Sequence, residues 1–386
     1  MPAMAGPASA TPRFLYRFAR PGQDVAHERE VCFEVGGAPR PATAYLPDEH
    51  DGHRPMPAWV LLQGITVPGR HHAGVRRMAR AVAAAGHLAL VPEVPSWTAL
   101  RVDPGETEPT LSSALSFLAR CRHVDPDRIG LMGFSVAATW LLGTAAGGLK
   151  GRVRGVVSVG GYADFRRMLV AMAVGEHEWG GRQFRYTPDP YGRWILGANL
   201  LPLLDGGHYG NQQAREIAAA ALHRLAHTAG RNGALARTPV YDDLIAQLRE
   251  TIPPGVTHVW DLLAPRSRSL VPDAAAGREL ACELAAAGVQ RYPEFDPIGR
   301  LHALEIPVVL LHGRNDTLVP FSETLRLAAA IPPSARRDVT VTPLLGHAKM
   351  EGAATPWRDP AALAGETRRF VRAIHRLLSM LEDHRP

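Results

Sequence analysis

Short apolar runs of five or six residues recur along the chain, separated by longer stretches whose apolar positions return with helical spacing. Pro57-Ala58-Trp59-Val60-Leu61-Leu62, His87-Leu88-Ala89-Leu90-Val91-Pro92, Arg128-Ile129-Gly130-Leu131-Met132, residues 153–159 and Ile306-Pro307-Val308-Val309-Leu310-Leu311 are continuous rather than alternating. Continuous runs of this length predict strands covered on both faces, as in a parallel sheet. Residues 73–85, 110–121 and 136–143 predict the helices between them, and residues 363–381 a closing amphipathic helix. Residues 31–35 and 42–46 around Gly36-Gly37 predict an antiparallel pair at one edge. The expected fold class is α/β, a mostly parallel sheet flanked by helices.

Between residues 166 and 304 the strand-helix rhythm stops. Helical periodicity persists at 215–227, 240–249 and 274–287, with Pro188 and Pro190 marking a turn-rich link. The segment is expected to be an inserted, mainly helical cap roofing the site. Residues 1–29 read as an N-terminal extension, and 30–165 with 305–386 as the catalytic domain. Trp179, Phe184, Tyr186, Tyr191 and Trp194 are expected chiefly to pack the cap's own core, with a substrate pocket as the alternative. The run Val174-Gly175-Glu176-His177-Glu178 lacks the companion histidines of a metal site and reads as a solvated loop.

The chemistry concentrates at Gly133-Phe134-Ser135-Val136-Ala137, immediately after one of the buried runs. A strand that turns sharply into a helix there projects the Ser135 hydroxyl and puts the Val136 N–H at a helix N-terminus, where an oxyanion is stabilised. Downstream, His312-Gly313-Arg314-Asn315-Asp316 follows a strand pattern and carries Asp316 in a loop. A second strand pattern, Val339-Thr340-Val341-Thr342, leads through Pro343-Leu344-Leu345-Gly346 to His347. Serine, then acid, then histidine, each past a strand end, is an order suited to nucleophilic acyl transfer.

On these motifs the chain resembles the α/β-hydrolase superfamily, in the esterase branch similar to dienelactone hydrolases and the catalytic domains of prolyl oligopeptidase-like enzymes. The resemblance covers roughly residues 30–165 and 300–380 and implies Ser135 as nucleophile, His347 as base and Asp316 as the carboxylate that orients it. Ala137 stands where the usual elbow has glycine, and Gln63-Gly64 where the family usually has His-Gly. By the same resemblance Ile65 N–H partners Val136 N–H in the oxyanion hole. Asp164, beyond the strand at 153–159, is the alternative acid, since some hydrolases place theirs there.

The implied activity is that of a serine hydrolase cleaving a small-molecule carboxylic ester through an acyl-enzyme. A peptidase, thioesterase, lactonase or acyltransferase would keep the same residues, and a catalytically silent ligand-binding protein is the alternative of a different class. No cofactor and no metal are expected. The 43 basic and 37 acidic residues leave a net charge of +6, scattered without a basic tract, so no nucleic-acid partner is indicated. Cys32, Cys121 and Cys282 form no paired-cysteine motif. No run reaches membrane-spanning length and the first 23 residues lack a signal-peptide core, so a cytoplasmic location is expected. Homodimerisation is open on superfamily grounds alone.

Overall fold

The computed structural model describes residues 7–20, 27–48, 55–206, 208–233, 236, 238–267, 273–345 and 360–382. The continuous apolar runs become the centre of an eight-stranded sheet. Its strands in chain order are β1 (His27–Val35), β2 (Ala38–Leu46), β3 (Met56–Leu62), β4 (Leu88–Pro92), β5 (Val124–Phe134) and β6 (Gly155–Val159). After a separate hairpin of β7 (Glu176–Trp179) and β8 (Arg182–Arg185), the main sheet is completed by β9 (Val308–Gly313) and β10 (Arg336–Thr342). The spatial order is β1-β2-β4-β3-β5-β6-β9-β10. Only β2 runs against the rest, pairing antiparallel with β1 and β4. This is the α/β-hydrolase fold.

Strand alternation divides the core into two layers. On β3, Ala58, Val60 and Leu62 join one apolar cluster while Trp59 and Leu61 join the other; Val308 and Leu310 on β9 oppose Val309 and Leu311 in the same way. The first layer is covered by helices Thr107–Ala119 and Val136–Ala146, the second by helices Ala73–Ala84 and Pro360–Ser379. Helix Pro7–Ala19 joins the second layer, because Ala10, Phe14 and Phe18 fall at four-residue spacing and are buried. Phe18 meets Phe370 with ring centroids 5.7 Å apart. The N-terminal segment is thus in part a packed helix.

Two sequence expectations change. Asp125-Pro126-Asp127, read as a turn ahead of the strand, lies within β5: the pairing with β3 jumps from Met56↔Val124 to Ala58↔Ile129, so these residues bulge out of the ladder. Glu176-His177-Glu178, read as a solvated loop, forms β7. His177 stacks on Phe184 at 5.1 Å and meets the edge of Phe321 at 5.0 Å. Burial lowers the His177 pKa, with the positive potential of His312 and Arg326 adding to it.

The insertion between β6 and β9 is the helical cap, with the β7–β8 hairpin beside it. Its helices are Phe165–Val174, Tyr191–Leu200, Gln212–Asn232, Asp242–Arg249, Thr257–Leu263 and Ala274–Arg291. Glu323, almost fully buried, ties the root of the cap to the sheet by accepting the backbone N–H groups of Ala163 and Asp164, each at 3.0 Å. Burial raises its pKa, opposed by those two donors and by Arg167 and Arg326. Among the described residues no helix is long and apolar enough to cross a membrane.

Candidate active site

Ser135 closes β5 with φ +58° and ψ −133°, and it and Leu100 are the non-glycine residues with positive φ among those described. Such a backbone costs on the order of 1–3 kcal/mol and persists only where its surroundings over-determine it. Here Ser135 N–H donates to Val159 O at 2.9 Å and Ser135 O accepts Ala138 N–H at 2.9 Å. The strand and the following helix nearly touch. A Cβ on Gly133 would lie 1.9 Å from Leu141 Cδ2 and 2.8 Å from Ala138 Cα, so only glycine fits. A Cβ on Gly64 would lie 3.0 Å from Ser135 Cβ, so the loop after β3 passes directly against the serine. Gln63 is buried and, with its amide oriented to satisfy both ends, donates to Pro92 O at 3.1 Å and accepts Val94 N–H at 3.3 Å. That pairing ties the loop to the end of β4.

A cavity of about 140 Å³ opens at the serine. Ser135, Ile65, Val136 and Asp316 all line it, so both expected oxyanion residues and the expected acid meet the expected nucleophile in one space. Asp316 is 6% exposed. Its Oδ1 accepts Leu318 N–H at 2.8 Å and Val319 N–H at 2.9 Å, which fixes the carboxylate plane. Its Oδ2 lies 3.4 Å from Nε2 of the buried His312. That imidazole is itself held by Val319 O at 2.9 Å and Thr324 Oγ1 at 2.6 Å.

Asp164 does not line the cavity. Its Oδ1 caps helix Phe165–Val174 by accepting Arg167 N–H at 2.7 Å, and its Oδ2 pairs with Arg167 Nη2 at 3.0 Å. His347 lies outside the described residues. The described chain reaches Leu345, which lines the cavity two residues before it.

Residues that the sequence reading did not single out add to the wall. Met168 and Met172 stand one turn apart on one cap helix, and Ile195 and Leu196 on the next. Their helical spacing is visible in the sequence; which face turns to the serine is a tertiary fact. His72 also lines the cavity, its Nδ1 accepting Gly74 N–H at 3.2 Å as the cap of helix Ala73–Ala84.

Of the five cap aromatics, only Tyr191 reaches this space. Burial pushes its phenol up to about 12, partly offset by Thr66 on the loop after β3. Trp194 is buried against Tyr241, with ring centroids 6.0 Å apart, and Trp179 lies beneath Arg326, 5.4 Å from its ring centroid. Packing therefore accounts for most of the aromatic set. Among the described residues, no group of three His, Cys, Asp or Glu side chains could hold a metal ion.

No family model matches the chain, and no curated protein matches it. Solved structures do. An acylaminoacyl peptidase in complex with a chloromethyl ketone aligns over 94% of this chain at 10% identity and a TM-score of 0.49, and this chain covers 42% of that one. The 2,6-dihydroxy-pseudo-oxynicotine hydrolase aligns over 94% at 16% identity and a TM-score of 0.45, with 70% of its own chain covered. Est1E from Butyrivibrio proteoclasticus aligns over 92% at 10% identity and a TM-score of 0.46, with 99% of its own chain covered. The chain spans less than half the length of the peptidase. The fold assignment rests on this chain's own strand order and elbow, and that fold is consistent with hydrolase activity on small acyl substrates.

Proposed function

We propose that the protein is a serine hydrolase that cleaves a small carboxylic ester through an acyl-enzyme. The observation carrying this reading is the strained, non-glycine backbone of Ser135 at the mouth of a largely apolar cavity that also receives Asp316. A strained nucleophile position surrounded by oxyanion donors and a carboxylate is an arrangement that acyl transfer uses and simple ligand binding does not require.

In this mechanism Ser135 Oγ attacks the acyl carbonyl while His347 takes its proton. The tetrahedral oxyanion is held by Ile65 N–H and Val136 N–H, the latter at the start of helix Val136–Ala146, whose dipole favours the developing charge. His347 then protonates the departing alcohol, and water repeats the sequence on the acyl-enzyme. In this reading Asp316, its carboxylate plane fixed by the two backbone donors on Oδ1, holds the His347 imidazole in its catalytic tautomer. An ester suits the site because an alkoxide leaves more readily than an amide anion, and the cap confines the cavity to a small acyl or alcohol group.

The test is intact-mass labelling by a fluorophosphonate, with p-nitrophenyl ester turnover followed in parallel. Wild type is expected to gain one adduct and to turn over the ester, and Ser135→Ala to do neither. Folded wild type that takes no adduct and shows no turnover would overturn the reading in favour of a silent binding protein.

A further inference from the structure

Arg193 stands on the cap helix Tyr191–Leu200, immediately after Gly192, which lines the serine cavity. Its own side chain lines a second, smaller space of about 20 Å³, otherwise walled by apolar cap residues such as Leu169, Leu262 and Leu280. Met172 and Leu196 line both spaces and so form the partition between them.

The guanidinium is poorly matched by the protein. Among the described residues nothing makes a hydrogen bond or ion pair to Arg193, and its Nε is shielded from solvent with no acceptor. Asp189 and Tyr186 attract it electrostatically without bonding to it, and Asp189 Oδ1 is already taken by Tyr191 N–H at 3.0 Å. The Tyr186 hydroxyl is likewise buried without a partner. An arginine offers five N–H donors in a planar fork, and shielding the Nε–H from water without an acceptor is costly. Burial lowers the Arg193 pKa to about 10, which leaves it charged at neutral pH. The side chain nonetheless keeps intermediate accessible surface.

We infer that Arg193 is a specificity-determining residue that recognises a carboxylate tethered by an apolar spacer to the scissile ester. The spacer occupies the serine cavity, and the carboxylate pairs with the guanidinium past the Met172–Leu196 partition. The second space is little larger than one water, so the carboxylate enters as Met172 swings aside; an unbranched thioether side chain does this readily. The planar fork accepts a carboxylate bidentately, in geometry a lysine cannot reproduce. This inference rests on the proposed ester chemistry for the orientation of the substrate, and on Arg193 alone for the anion.

Two measurements keep the two readings apart. In the Ser135→Ala background, calorimetry compares a dicarboxylic acid monomethyl ester with its neutral dimethyl ester, with and without Arg193→Met. The anionic ester is expected to bind about tenfold or more tightly, and the ratio to fall to about one in the double variant. Arg193→Lys, which keeps the charge and not the fork, is expected to give an intermediate ratio and serves if the methionine variant does not fold.

In otherwise native enzyme, p-nitrophenyl hemiesters of dicarboxylic acids are compared with esters carrying the carboxylate on the alcohol side, which tells the acyl from the leaving-group arm. Equal binding of anionic and neutral esters with Arg193 intact, or an anion preference that survives Arg193→Met, would overturn the inference. Because the binding arm needs no chemistry, it reads Arg193 even if Ser135 takes no adduct.

Discussion

The buried tryptophans of the sheet domain and those of the cap are treated differently. In the sheet domain, Trp59 donates to His87 Nδ1 at 3.0 Å, Trp97 to Asp103 O at 2.8 Å and Trp140 to the Tyr162 hydroxyl at 3.1 Å. In the cap, Trp194 and Trp260 are as deeply buried, yet neither indole N–H has a partner. A directed hydrogen bond penalises every competing arrangement, whereas shape-driven packing tolerates several. The sheet therefore holds the groups proposed to react in one geometry. In the cap the two buried indoles are held by apolar contact, and the lining around them can change without disturbing the sheet.

The largest effect should come from the proposed acid, which follows a strand of the sheet. Asp316→Asn is expected to lower kcat by about 10⁴-fold, because an amide cannot hold the base in the required tautomer. Asp164→Asn should change it less than about threefold, since asparagine caps a helix as well as aspartate does. A pH-rate profile of both variants beside wild type decides the matter. If Asp164→Asn is the inactive one, the acid is the alternative and the Asp316 role fails.

Backbone proximity gives the next contrast. Gly133→Ala places a methyl against Leu141 and the Ala138 main chain, and is expected to destabilise by about 3 kcal/mol. Gly197→Ala in the cap meets the mobile ends of Leu222 and Leu263, each at 2.9 Å, and gains helix propensity; a net change within about 1 kcal/mol is expected. Urea titrations of the two variants measure both. Equal losses would mean that the cap is as tightly specified as the elbow.

The same contrast explains what was legible in the sequence. β3, β5 and β9 are buried on both faces, so their apolar runs carry no competing pattern, and Ser135 follows one of them with the small residues that an elbow requires. Asp316 was legible for the same reason: it ends such a run. The β7–β8 hairpin was not, because strands of four residues containing Glu176, His177 and Arg182 have no apolar alternation to read. Helix Pro7–Ala19 was obscured by Pro12 in its interior, although Ala10, Phe14 and Phe18 carried the spacing. Tyr191 and Met172 acquire their relation to Ser135 only when the cap folds over the sheet, which no local pattern encodes. His347 was read from its spacing after Asp316, and lies outside the described residues.

Trp59→Phe and Trp194→Phe remove the same volume from two equally buried sites. Only the first strands an acceptor, His87 Nδ1, in the core. It should cost about 1–2 kcal/mol more than the second, in urea midpoints converted at a common slope. A smaller gap would show that the indole hydrogen bond contributes little to the sheet's specificity.

The smallest effect concerns the other side of that histidine. His87 is buried between Trp59 and Glu382, whose Oε1 lies 3.1 Å from Nε2. Burial lowers its pKa below the ordinary 6.5 by more than Glu382 raises it, so the native state keeps it neutral where the unfolded chain begins to protonate. Below about 6.5 the unfolded state thus binds more protons than the native one. This group's contribution to stability is full above that pH and is lost as pH falls, by at most about 1.4 kcal/mol per unit. Urea unfolding at pH 7.5 and 5.5 should show a shallower acid loss in His87→Gln, whose amide can accept from Trp59 and donate to Glu382 without titrating. Identical slopes in the two proteins would mean that the imidazole gains its proton without unfolding. The Trp59–His87–Glu382 chain would then be as permissive as the unpartnered indoles of the cap.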